Sequence, residues 1–315
     1  MNLLGQSLKG GFQTANRSWA GMLVYAGSLV VIVSVAILAF VIGSLSTGVL
    51  QQLPEVVKTY GQIQNQDPTA ASQNMDQIRK AFVPWLSRIW PALLVSGLLV
   101  VVSGVWIYCG QVSYLAKLIR EGSAQISEFW AGPIRTLVPV FLAGLLSIGI
   151  LGALVAAIAS VAALLSQISR PFAWVFASLS VIVAIGLLIW LGVRLSFCYI
   201  SIVADRLGPI SGLWASFKIT KGHWWYTFGF FVVIALISFA VGAGFQILVR
   251  GTGKMDSWSG LILGVPAALL SVGINLYMNF FKLASKICFY NGLKAGGEIS
   301  RSSSVTGPAM PPGTP

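Results

Sequence analysis

Residues 137–165, LVPVFLAGLLSIGILGALVAAIASVAALL, carry no charged side chain and no histidine. That run exceeds the roughly 20 residues a helix needs to cross a hydrocarbon core of about 30 Å. Unpaired peptide groups in hydrocarbon cost about several kcal/mol each, so such a run must bond its own backbone as a helix. Five further stretches are of the same kind, at residues 20–50, 89–109, 171–191, 226–249 and 261–281, and none of the six holds Asp or Glu. The chain is therefore predicted to be all-α, a polytopic membrane helix bundle of about six transmembrane helices.

Composition agrees. Hydrophobic residues make up 56% of the 315 and charged residues 9%, with a mean hydropathy of +0.84. A soluble domain carries about 25% charged residues, so too little polar surface exists here to face water throughout. The first stretch is long, follows a polar segment and lacks a convincing Ala-x-Ala site, so it is expected to remain as a true span rather than a signal peptide.

The formal net charge is +12, from 20 Lys and Arg against 8 Asp and Glu. These cations are scattered between apolar stretches and form no compact patch, which disfavours a nucleic-acid partner. Anionic membrane lipid is the expected partner, since a Lys or Arg near such a surface gains about 1 kcal/mol. With the N-terminus inside, 13 of the 20 basic residues fall on the inner side and 7 on the outer. This bias predicts an inner (plasma) membrane protein with both termini cytoplasmic.

A single transmembrane domain is expected over 1–301, with an outer polar connection at 51–88 and a disordered cytoplasmic tail at 302–315, SSSVTGPAMPPGTP. Met75, Ile78, Phe82, Trp85 and Ile89 recur at helical spacing, predicting a helix on the outer surface that Pro84 bends or ends. Three amphipathic interfacial helices are expected on the inner side. Leu8, Phe12 and Trp19 precede the first span, and Leu213, Phe217 and Trp224 precede the fifth at identical spacing. Ile119, Ser123 and Trp130 hold the corresponding places before the third, so a threefold repeat is read, each unit an amphipathic helix followed by a two-span hairpin.

No catalytic residue, metal site or cofactor is predicted. The sequence lacks GxSxG, HExxH, P-loop and dinucleotide fingerprints, its cysteines (Cys109, Cys198, Cys288) show no CxxC spacing, and its one histidine, His223, sits at the entrance to the fifth span. The candidate polar face is Asn275, Asn279, Lys282 and Lys286, which steps of four, three and four place on one side of the sixth span. Arg194, Lys9, Lys218 and Lys221 are the candidate anion or head-group contacts. The apolar run past Arg194 predicts that the fourth span continues as helix to Ala204. Gly149, Ala153 and Ala157 in the third span, with Ser96 and Ser103 in the second, mark candidate helix-helix faces.

The run 194–229, RLSFCYISIVADRLGPISGLWASFKITKGHWWYTFG, resembles bacterial polytopic membrane proteins grouped with the membrane domain of glycerophosphoryl diester phosphodiesterase and related domains of unknown function. The resemblance implies repeated hairpins, an arginine late in a span, a small amphipathic helix with Ala and Ser, and an aromatic-rich entrance to the next span. Arg194, Asp205, Gly208, Ala215, Ser216 and Trp225 occupy those places. Phe289 to Leu293, FYNGL, is similar to a Tyr-Tyr-Asp-Leu type ending of such families, with Asn291 in place of the Asp. No phosphodiesterase domain accompanies the membrane part in this sequence, so the enzymatic activity is not carried over. The function expected is non-catalytic, organising lipid or a membrane protein partner; the alternative is a transporter of a small or lipid-like substrate routed along the span-six face.

Overall fold

The computed structural model describes residues 3–48, 54, 57–58, 71–166, 170–251 and 258–305. Among them the principal helices are α1 (Leu3–Arg17), α2 (Trp19–Ser46), α3 (Ala71–Glu121), α4 (Ile126–Ser166), α5 (Arg170–Leu195), α6 (Cys198–Ala204), α7 (Pro209–Thr220), α8 (Trp224–Gly251) and α9 (Trp258–Val305). No strand occurs among the described residues, and five helices are long and apolar enough to cross a membrane, within α2, α3, α4, α5 to α6, and α8. The protein is an all-α, multi-pass membrane protein. The sixth predicted stretch, 261–281, lies inside α9 and is helical throughout.

Two compact units are distinguished, Tyr25–Ile107 and the remainder, Met1–Val24 with Tyr108–Pro315. In the first, α2 meets α3 through small residues: a Cβ at Gly43 would come within 2.8 Å of Ala92 Cβ, and Ala36 and Ser44 are buried. Between helices in lipid, van der Waals contact replaces the hydrophobic drive, so close backbone approach is what stabilises the pair.

In the second unit the core does not follow hydropathy. At most 28% of any span's most apolar window is buried, whereas Phe197, Ile200, Ile202, Phe230, Phe280, Phe289 and Tyr290 are almost fully enclosed. These last residues gather where the spans meet the short helices. Phe289 stacks on Phe230 with ring centroids 4.1 Å apart at 12°, and Phe197 and Tyr226 pack around it at 6.1 and 5.8 Å. Lipid is as apolar as leucine, so the middle of a span gains nothing by turning inward, and burial concentrates near the ends.

α1 lies along α9. A Cβ at Gly11 would sit 2.8 Å from Ser285 Cα, and Ala15 packs with Met278 and Phe281. Tyr277 donates to the Asn16 side chain at 2.9 Å, and the Leu4 amide donates to the Tyr226 hydroxyl at 3.1 Å. Glycine inside a helix disfavours it by about 1 kcal/mol, which this close approach offsets. Gly11→Val is expected to loosen α1 from α9 and destabilise by about 1–3 kcal/mol, the range for overpacking. Faster proteolysis near residue 17 than in wild type, at equal expression, checks it; equal rates refute it.

Several expectations change. α3 runs unbroken through Pro84 and Pro91, so the predicted outer-surface helix is one continuous helix with the second span. The helix beyond Arg194 does not continue to Ala204; α5 stops at Leu195 and α6 restarts at Cys198 across a turn at Ser196 and Phe197. Gly149, Ala153 and Ala157 are exposed, and α4 is buried instead through Thr136, Val140, Ala143 and Ser147. α9 extends to Val305, so the first four residues of the predicted tail are helical, and 306–315 lie outside the described residues. Most of 51–70 lies outside them too.

The repeat stands in a different register at its second unit. Ile119 lies in the last turn of α3, Ser123 in the linker and Trp130 in α4, so they share no helix. The segment 121–136 matches 205–220 instead: Ile126, Ser127, Trp130, Ala131 and Thr136 recur as Ile210, Ser211, Trp214, Ala215 and Thr220. Both tryptophans face outward, at 45% and 72% exposure, and both threonines are buried. Each copy opens on an acid, Glu121 or Asp205, followed by a left-handed residue, Gly122 at φ 76° or Arg206 at φ 55°.

Candidate functional site

The two repeat segments face each other across a cavity of about 1200 Å³ at the basic end of the second unit. Its walls come from the end of α3 (Lys117, Arg120, Glu121), the start of α4 (Glu128, Ala131, Arg135), the α6–α7 linker (Asp205, Arg206), α7 and the turn after it (Ala215, Lys218, Lys221, His223), and α9 (Tyr290, Lys294). Seven lysines and arginines stand against three carboxylates, so cations that read as scattered along the sequence, with no compact patch, are brought together by the fold.

The carboxylates are engaged. Glu128 accepts from Lys117, whose ammonium lies 4.0 Å from Glu121, joining α3 to α4. Asp205 accepts from the Tyr290 hydroxyl and from Lys294 Nζ at 3.1 Å, joining the α6–α7 linker to α9. Burial, reinforced by Asp205 holding its hydroxyl proton, pushes the Tyr290 phenol above its ordinary range. That coupling spans 85 residues and was invisible to periodicity.

A second, more apolar recess adjoins it on the outer face of α7, lined by Arg194, Gly208, Ile210, Trp214 and Phe217, and it shares Lys218 and Lys221 with the cavity. The Arg194 guanidinium lies 5.0 Å from the Trp190 ring and 5.7 Å from Phe217, with Nη1 donating to the Phe217 carbonyl at 3.4 Å. Ser216 donates to the Arg194 carbonyl, pinning α7 to the end of α5.

Of the predicted contacts, Arg194, Lys218 and Lys221 are thus brought together, while Lys9 is exposed on α1 and lines neither recess. The span-six face is not drawn into either. Asn275 is exposed and bonds Ser271 of its own helix at 2.9 Å, and Asn279 and Lys282 are half-buried along α9. Lys286 Nζ lies 5.3 Å from the Phe231 ring, and burial, with Lys282 nearby, lowers its affinity for a proton.

Sequence reasoning missed Arg120, Arg135, Arg206 and the three acids as wall residues. The Ile-Ser-x-x-Trp-Ala-x-x-x-x-Thr recurrence could have found two of them, since it pairs Glu121 with Asp205; Glu128 and the arginines have no counterpart in the other copy and left no such signal.

No protein-family model matches the chain, and comparison with curated proteins and with solved structures returns no match either.

Proposed function

We propose that this is a non-catalytic protein of the inner (plasma) membrane, with both termini cytoplasmic, that binds and organises anionic lipid at its basic end. The observation that carries the reading is the recess on α7, where exposed Ile210 and Trp214 adjoin Arg194, Lys218 and Lys221. An apolar wall that ends in cations matches a phospholipid, acyl chain on the first and phosphate on the second. Tryptophan suits the level of the head groups because its ring is amphipathic. Outward Ile126 and Trp130 repeat only the apolar part on α4, where Gly110, Ile134 and Leu137 stand in place of Arg194, Lys218 and Lys221. The likeness of 194–229 to membrane domains of the glycerophosphoryl diester phosphodiesterase group agrees with this reading, and that kinship is itself proposed. The transporter alternative has no comparable support, since the span-six residues line neither recess.

Arg194→Gln with Trp214→Ala tests it in the full-length protein. Association with phosphatidylglycerol, read by native mass spectrometry from mixed nanodiscs, should weaken about tenfold, with the cation alone contributing about 1 kcal/mol. Phosphatidylcholine association should hardly change. Equal phosphatidylglycerol retention by variant and wild type would sink the proposal.

A further inference from the structure

The cavity between the two repeat copies holds more positive charge than its walls can use. Eight Asp and Glu occur in the chain, and three of them, Glu121, Glu128 and Asp205, stand in this one wall. They hold Lys117 and Lys294. Arg120, Arg135, Arg206, Lys218 and Lys221 line the same space and make no ion pair among the described residues. They arrive from α3, α4, the α6–α7 linker, α7 and the turn after it, so no single helix's composition explains their meeting. All five are exposed on the open side of the cavity, where water and salt screen much of their mutual repulsion, and their summed positive field favours an anion there.

The repeat separates architecture from charge. Thr136 and Thr220 are buried in both copies, and Ala131 with Ala215 and Glu121 with Asp205 recur beside them. The cations do not. Arg120, Arg135 and Lys218 correspond to Ala204, Ile219 and Ile134, so the helix-loop-helix forms equally well without them.

Arg206 adds a third observation. It occupies a left-handed backbone position, φ 55°, that the first copy fills with Gly122 at φ 76°. A side chain with a Cβ is disfavoured there relative to glycine. In place of the relaxed glycine the second copy carries a guanidinium on the cavity wall.

We propose that this cavity is a binding site for a phosphate-bearing anion, held by Arg120, Arg135 and Arg206 with Lys218 and Lys221. Arginine's planar fork matches phosphate oxygens two at a time, and lysine adds point charge. The volume admits a phosphate ester with room to spare, so charge and not shape would select the ligand. The same chemistry is offered by a soluble phosphate and by the head group of an acidic lipid reaching in past Lys218 and Lys221, which border both recesses. The site does not depend on the lipid reading of the α7 recess, because Arg135 and Arg206 line only the cavity and Arg194 and Trp214 only the recess.

The test uses full-length protein in phosphatidylcholine nanodiscs and the variant Arg135→Gln with Arg206→Asn. Asparagine tolerates the left-handed backbone, so the second change removes charge without adding strain. Inorganic pyrophosphate is titrated calorimetrically, and phosphatidic acid is offered separately in mixed nanodiscs and read by native mass spectrometry. Wild type should bind at least one probe, and the variant should bind that probe about tenfold more weakly or worse while keeping its thermal midpoint. Binding of pyrophosphate identifies a soluble ligand, and binding of phosphatidic acid alone identifies a head group. Should the double variant fold poorly, Arg206→Asn by itself must show a measurable loss. The proposal is overturned if wild type binds neither probe, if the folded variant binds as tightly as wild type, or if binding is lost only in the Arg194→Gln, Trp214→Ala protein.

Discussion

Phe289→Ala is expected to lower the stability of the protein by about 3–5 kcal/mol, the range for truncating an enclosed phenylalanine. Phe289 is fully buried, stacks face to face on Phe230, and touches Phe197 and Tyr226. Its removal leaves a cavity whose lining comes from α8, α9 and the turn between α5 and α6, elements that neighbouring lipid cannot reach to refill. Offset aromatic pairs add about 0.5–1.5 kcal/mol beyond area, so the loss should lie toward the upper end. Ile148→Ala supplies the contrast: Ile148 is exposed on α4, and its truncation exchanges a lipid contact for a lipid contact. Denaturant unfolding in a fixed detergent should show a large shift for the first and almost none for the second. Equal shifts would mean that the core lies elsewhere.

Asp205→Ala should destabilise by about 2–3 kcal/mol, because a hydrogen bond to a charged group contributes about 1.5–3 kcal/mol and the buried Tyr290 hydroxyl loses its acceptor. The Lys294 pair adds little, since that ammonium is well solvated. A pH signature accompanies the bond. Tyr290 lies beyond the membrane-crossing part of α9, and its phenol ionises at higher pH in the folded protein than in the unfolded chain. Below about pH 10, the ordinary tyrosine value, both states keep the proton and the contribution is whole. Above it the unfolded chain releases the proton first, so stability falls as pH rises toward the folded value. Tyr290→Phe should be less stable than wild type near neutrality, and the gap should narrow above about pH 10. A gap that stays constant through the alkaline range would refute the assignment.

The spans were legible because their signal is local. Residues 137–165 must be helical in lipid whatever surrounds them, and α4 covers them entirely. The basic end was half legible: Arg194, Lys218 and Lys221 stood out as cations beside apolar runs, and they do share one recess. Arg135 and Arg206 did not stand out, since a lone arginine between spans reads as an ordinary interfacial charge. The second unit of the repeat was placed in the wrong register because Ile119 and Trp130 satisfied a spacing rule while the chain turned between them at Gly122. Apolar spacing constrains a register only inside one helix.

Desolvation of the peptide group is paid or avoided within each segment, so the sequence alone determined that this chain is helical, that it crosses a membrane several times, and that its charge collects between crossings. Which side chains are enclosed was a tertiary matter. In lipid the apolar residues have no reason to prefer the interior, so hydropathy did not mark Phe197, Phe230, Phe289 and Tyr290 as the core. The meeting of Asp205 with Tyr290, and of five cations from separate elements around one cavity, depends on how distant helix ends converge, which no local period encodes.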